Sequence, residues 1–181
     1  MNLYPVVLAL AVIGPVSASA AVLKATSYGF ALESSGTIAA PPAQVFAAIG
    51  HVGRWWDPAH SYSRNAANLT MDVRAGGCWC EKVPPDGEVE HMRIVTVRPG
   101  KQLVARGGLG PLQGEGVDAA LTWGLKAEGS GTQLVQTYVV GGFARPGLEV
   151  LALAVDGVMS NAFLRLKRYI ETGSPDVAKP Q

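Results

Sequence analysis

PGLEVLALAVDGVMSNAFLRLKRYIETG, residues 146 to 173, is the stretch on which the fold turns. Leu148, Leu151, Val155, Val158, Ala162, Leu166 and Tyr169 recur three or four positions apart, which in a helix puts them on one face. That face needs a partner. Arg165, Lys167 and Arg168 fall in the final turns, where positive charge suits the carbonyl end of the helix dipole, and Gly173 with Pro175 supplies the stop. The chain between Ala21 and Phe143 reads mostly as strand, so the expected cover is a sheet curved around this helix.

Upstream, the apolar period falls to two. Val117, Ala119, Leu121, Trp123 and Leu125 form the clearest alternating run, and the turn Gly129-Ser130-Gly131 leads to its neighbour, Thr132 to Gly141. Turns at Pro84-Pro85-Asp86-Gly87 and Pro99-Gly100 separate Cys78–Val83, Glu88–Val97 and Gln102–Arg106. Leu69, Met71 and Val73 alternate before the break at Gly76-Gly77. Connections this short force antiparallel neighbours. Nearer the start, Leu23–Ala39 reads as one long strand ended by Pro41-Pro42. A helix with Val45, Phe46 and Ile49 on one face follows, then a short helix over His51–Asp57 that carries Trp55 and Trp56 and stops at Pro58. The order of strand, two helices, strand series and long helix defines an α+β fold with about six or seven strands.

With 181 residues, 48% of them hydrophobic, the mature chain is expected to form one globular domain over residues 21–174, followed by a polar tail at 175–181. A chain of this length buries roughly 70% of its unfolded surface and needs no metal or disulfide to hold it together. The balance of 15 basic and 14 acidic residues gives no field for nucleic acid. Residues 1–20 differ in character. Leu3–Val16 is almost wholly apolar, and Ala18-Ser19-Ala20 supplies small residues at the positions a signal peptidase reads. No Lys or Arg precedes that run, so the positive end rests on the terminal amine. Cleavage after Ala20 and export, to a periplasm or the exterior, are the expectation, with an uncleaved membrane anchor as the alternative. The run is short for a span and is broken by Gly14 and Pro15, so no stable membrane span is expected after cleavage.

The segments IAAPPAQVFAAIG, RWWDP, RAGGCWCE, VRPGKQLV, GSGTQLV and GLEVLALAVDG with FLRLKRYIE resemble, in that order, the START-like (SRPBCC) superfamily over about Ser34–Glu171. The nearest branch is the polyketide cyclase-related one that includes homologues of activators of the heat-shock-protein-90 ATPase. The resemblance implies a helix-grip fold, in which a curved antiparallel sheet wraps the C-terminal helix and leaves a cavity between them. It also implies an apolar ligand such as a lipid, sterol or polyketide, with some members catalysing cyclisation or hydrolysis. It carries no catalytic motif.

Four tryptophans are the first candidates for a cavity lining, with ordinary core packing as the competing role. Adjacent helical residues point about 100° apart, so only one of Trp55 and Trp56 is expected to face inward. Trp123 shares parity with Leu121 and Leu125, and Trp79 follows the glycine break where the resembled fold places an inward aromatic residue. Gln136 and Tyr138 share parity with Leu134, so they are candidates for anchoring the polar end of a ligand. His91 and Arg93 share parity with Val95 and Val97, and two roles stand open for them: a charged pair with Glu81, or structural hydrogen-bonding groups or outer-face residues. The glycine-rich run Gly107–Gly116 is a loop or a flap, with Leu109 and Leu112 able to close over an opening.

Cys78 and Cys80 lie on one strand face, and three roles stand open: structural thiols, a local disulfide at the far edge of the permitted Cα separation, or metal and redox chemistry. His51, His60 and His91 are scattered, and no nucleophile elbow, HExxH helix, P-loop or dinucleotide fingerprint is present. The expected function is binding of a small apolar or amphipathic molecule by Trp56, Trp79, Met92, Trp123, Gln136, Tyr138 and Val158. No catalytic residue, metal or cofactor is assigned. The rivals are a cavity enzyme using His91 and Glu81, and a protein-binding module, while the oligomeric state is left open.

Overall fold

The computed structural model describes residues 19–177. The expected export signal lies outside them apart from Ser19 and Ala20, as does the end of the polar tail. Eight strands form one antiparallel sheet: β1 (Ser19–Thr26), β2 (Gly29–Ile38), β3 (Leu69–Met71), β4 (Cys78–Val83), β5 (Gly87–Arg98), β6 (Gln102–Arg106), β7 (Gly116–Glu128) and β8 (Gly131–Phe143). Their order across the sheet is β1-β2-β8-β7-β6-β5-β4-β3. The single strand expected over Leu23–Ala39 is instead a hairpin, turned at Ser27-Tyr28. Gly29 permits that turn to lie against β8, since a Cβ there would sit 2.8 Å from the Val140 carbonyl.

Register shifts that leave an extra residue at Leu23 in β1 and at His91 and Val95 in β5, the first of these two opposite Trp79/Cys80, bend the sheet. Each extra residue increases local twist and curls the strand. The concave face so produced holds α3 (Leu148–Thr172), the helix read from sequence, bounded by Gly147 with φ 86° and by Gly173 in the left-handed conformation. Leu148, Ala152, Met159, Ala162, Phe163 and Leu166 are its buried stripe. Leu151, Val155, Val158 and Tyr169, also placed on the apolar face, are half-buried and pack against the same core.

The basic residues of α3 do not cap its last turn. Arg165 donates to the Trp55 carbonyl at 2.9 Å, Lys167 to the Thr37 carbonyl at 2.6 Å, and Arg168 to the Pro175 carbonyl at 2.8 Å. They tie the helix to its surroundings. A buried amide does the same from inside: Gln136 Oε1 accepts the Trp123 indole N–H at 3.0 Å, and its Nε2 donates to the Met159 carbonyl at 3.0 Å. The clamp joins β7, β8 and the middle of α3.

Helix α1 (Pro42–Gly50) buries Val45, Ala48 and Ile49, while α2 (Val52–Trp55) is a single turn, shorter than the helix expected over His51–Asp57. Trp56 is already extended, with ψ 148°. The 100° helical offset therefore does not apply, and both Trp55 and Trp56 are buried. No helix among the described residues is long and apolar enough to cross a membrane.

Phe163 is 1% exposed and Leu153, nearer the start of α3, is 76% exposed. Phe163→Ala is expected to lower unfolding free energy by about 3–5 kcal/mol in urea titrations, and Leu153→Ala by less than about 0.5 kcal/mol. Equal effects would place the buried side of α3 elsewhere.

Candidate functional site

The concave interior is filled before it reaches the mouth of the fold. Trp79 stacks edge-on against Trp56 with centroids 5.1 Å apart and lies 6.3 Å from Trp123, and all three are buried. Trp79, Met92, Trp123, Gln136 and Tyr138 do face inward. Strand alternation had indicated this for Trp123, Gln136 and Tyr138. None of these five, however, borders the apolar cavity. Trp79 Nε1 is buried with no hydrogen-bond partner among the described residues.

A larger, more polar recess lies between α2, β3 and the C-terminal end of α3, while an apolar cavity of about 400 Å³ opens beside the middle turns of α3. Val155, Val158 and Met159 of α3 form one wall, Trp56 and the segment Ala59–Tyr62 a second, and Leu109-Gly110-Pro111 of the glycine-rich loop the third. Two of the sequence-predicted site residues, Trp56 and Val158, are in this lining. His60, Ser61, Tyr62, Leu109 and Pro111 were not anticipated as ligand contacts, apart from Leu109 as part of a closing flap. Only loop tips brought together by the fold create those contacts, and no periodicity marks them.

Each wall is held by a specific polar contact. Asp57 caps the turn at Pro58–His60 by accepting the Ala59 N–H at 2.9 Å, and it also accepts the Asn161 amide of α3 at 2.8 Å. Burial pushes the Asp57 pKa up, but these bonds and the charges of Arg165 and His60 outweigh it and hold it below its ordinary value. The glycine-rich loop carries a 3-10 turn at Gly110–Gly114 and is pinned twice. Tyr138 accepts the Leu109 N–H at 3.0 Å and donates to the Gly107 carbonyl at 3.3 Å, and the Tyr62 hydroxyl reaches Gly110 O and Gln113 Oε1 at 3.2 and 3.0 Å. Burial raises the Tyr138 hydroxyl to about 12, only partly offset by the Leu109 N–H, so it remains a neutral donor and acceptor. Leu112 is buried and Leu109 half-buried, so the loop covers the opening with apolar side chains.

Glu81 and His91 meet as sequence parity suggested, His91 Nε2 lying 2.8 Å from Glu81 Oε2. Arg93 does not join them. The bulge opposite Trp79/Cys80 brings both His91 and Met92 inward, leaving Arg93 and Val95 outside, where Arg93 pairs with Glu90. Glu81 also accepts the backbone N–H groups of Ser63 at 2.6 Å and Tyr62 at 3.1 Å. Burial pushes its pKa up most strongly, yet the hydrogen bonds from Ser63, His91 and Tyr62 together hold it below 4.5. The carboxylate thus fixes the loop that presents Tyr62, whose ring covers His91 at 5.8 Å. It is a positioning group behind the cavity wall. His91 and Met92 border a second recess of about 400 Å³, between β5 and the glycine-rich loop, with polar groups from Glu88, Glu90, Arg106 and Gln113.

Cys78 and Cys80 are joined as a disulfide on the face of β4 opposite Trp79, with a Cα separation of 5.4 Å. That is mid-range for a bridge rather than at its far edge.

A bent antiparallel sheet gripping one long terminal helix, with an apolar cavity at the grip's open end, defines a helix-grip protein of the START-like class. The chain belongs to the family described as polyketide cyclase / dehydrase and lipid transport, which matches residues 30–171. The fold is shared with EF2215 from Enterococcus faecalis, a conserved protein of unknown function, at 17% identity over 90% of this chain and 80% of that one, TM-score 0.60. CalU16 from Micromonospora echinospora matches at 16% identity over 90% and 88%, TM-score 0.57. Ara h 8.0201 matches at 14% over 78% and 97%, TM-score 0.56. No curated protein matches the sequence significantly.

Because the Glu81 pKa is lower in the folded chain, its ionised form stabilises the fold above pH about 4.5, and that contribution is lost as pH falls through the folded value. Glu81→Gln should therefore melt below the unmodified protein at pH 7, and the gap should narrow under acid as both are followed by circular dichroism. A gap independent of pH would contradict the assignment.

Proposed function

We propose that this protein binds a small apolar or amphipathic molecule in the mouth cavity, with the apolar part against Trp56, Leu109, Val155, Val158 and Met159. The observation that carries the reading is the cavity itself. Its volume falls within the range of small-molecule sites, about 300–1,000 Å³, and its walls are mostly apolar. Burial of ligand surface there contributes roughly 25 cal/mol per Å² before the cost of association. Gln136 and Tyr138, the polar anchors favoured from sequence, already have protein partners on both sides. Polar orientation of the ligand therefore falls to the His60 ring at the rim, since Ser61 Oγ already donates to the Pro58 carbonyl and the Tyr62 hydroxyl reaches Gly110 and Gln113.

Export is part of the same proposal. The apolar run Leu3–Val16 and the Ala18-Ser19-Ala20 site support it, and the Cys78–Cys80 bridge is consistent with an oxidising compartment. Cleavage after Ala20 leaves Ala21–Thr26 to form β1. N-terminal sequencing of protein secreted by its own host is expected to begin at Ala21.

Titration with the fluorescent apolar probe ANS tests the site. Saturation at one probe per chain is expected, with Val158→Trp weakening binding about tenfold or more by filling the cavity. Val139→Trp, on the outer sheet face where Val139 is 50% exposed, should leave affinity unchanged. Unchanged binding by Val158→Trp, or equal losses in both variants, would remove the mouth cavity as the site.

A further inference from the structure

We propose that the Cys78–Cys80 pair, when reduced, forms with Glu90 a binding site for one thiophilic divalent cation of the zinc or cadmium type. The two sulfurs and a Glu90 carboxylate oxygen all lie within 4.8 Å of one another. Cys80 and Glu90 are direct cross-strand partners on β4 and β5, and Cys78 is opposite Arg93, so strand pairing fixes all three donors on one face. The site is separate from the ligand cavity. Trp79 and Glu81 point to the concave side, whereas the sulfurs and Glu90 lie on the convex side, the cysteines half-buried and Glu90 exposed. An ion can reach it from solvent.

The donor set selects the ion. Two thiolates among three protein ligands favour a borderline or soft cation over magnesium or calcium, and three protein ligands leave a fourth tetrahedral position for water. With metal–sulfur bonds of about 2.3 Å, tetrahedral donors stand about 3.7 Å apart; Cys78 Sγ already lies 4.0 Å from Glu90 Oε2, and reduction releases the two bonded sulfurs to separate to that spacing. Charge closes as well. Two thiolates and one carboxylate carry three negative charges, a divalent ion leaves one, and the Arg93 guanidinium beside Glu90 offsets it. Arg93 also donates to the Gly76 carbonyl at 2.9 Å, which holds its charge at the edge of the site.

Disulfide and metal exclude each other, so the site is redox-gated. A dithiol reductant supplies two electrons and two protons, the Cys78–Cys80 S–S bond breaks to two thiols, and the reductant leaves as its own disulfide. Metal binding then releases both thiol protons to solvent while two metal–sulfur bonds and one metal–oxygen bond form.

The test is a cadmium titration of the purified protein, reduced with dithiothreitol and freed of it under inert gas, followed by thiolate-to-metal charge-transfer absorbance. Reduced protein should saturate at one cadmium per chain, and the unreduced protein should show no band, a comparison that needs no variant. Cys80→Ser should weaken binding by about 100-fold or more, while Glu90→Gln should keep the band with affinity lowered about tenfold or more. One cadmium per two chains, a band of equal strength without reduction, or unchanged affinity in Glu90→Gln would each overturn the three-ligand site.

Discussion

A single buried amide sets the geometry of this fold. Gln136 is 2% exposed and is held on one side by the Trp123 indole and on the other by the Met159 carbonyl. A buried amide left unpaired costs about 1–3 kcal/mol, so sheet and helix are stable only at the spacing and rotation that satisfy both bonds. That requirement fixes α3 relative to β7 and β8. The apolar stripe then does the bulk of the stabilising, with Leu148, Phe163 and Leu166 closing against the concave face on either side of the clamp.

The position of the cavity follows from that constraint. With α3 held close at Met159, the space beneath it is taken by Trp79, Trp123 and Tyr138, and apolar room is left beside Val155 and Val158, where the lining comes from loops and not from strands. The walls there are loops, so they need polar attachments that a sheet would not. Asp57, Glu81, Tyr62 and Tyr138 supply them, each using hydrogen bonds to backbone or helix to keep a loop tip in place. A loop fixed at a few points can admit a ligand by releasing few bonds, which a closed core cannot do. The same physics accounts for both the packed interior and the accessible mouth.

Much of this was legible in the sequence. The helical period of residues 148–169 located α3, and strict alternation in β7 and β8 put Trp123, Gln136 and Tyr138 on the inner face. Three kinds of feature were not legible. The bulges in β5 shift parity within that strand, so His91 and Met92 both turn inward while Arg93, assigned with His91, stays outside. The early end of α2 brings Trp56 inside beside Trp55, which a helical reading forbids. The lining residues His60, Tyr62 and Pro111 come from loops separated by about fifty positions, joined by side-chain hydrogen bonds that leave no periodic trace.

The account stands on the claim that ligand occupies the mouth and not the space under the helix. Its most direct test is the indole N–H region of a nitrogen-correlated NMR spectrum, where the four tryptophans report four depths of the same fold. On titration with a medium-chain fatty acid, the Trp56 signal should move in step with saturation while those of Trp55 and Trp123 hold their positions. Movement of Trp123 with Trp56 unperturbed would mean that the helix lifts from its clamp to admit ligand beneath it, contradicting the account.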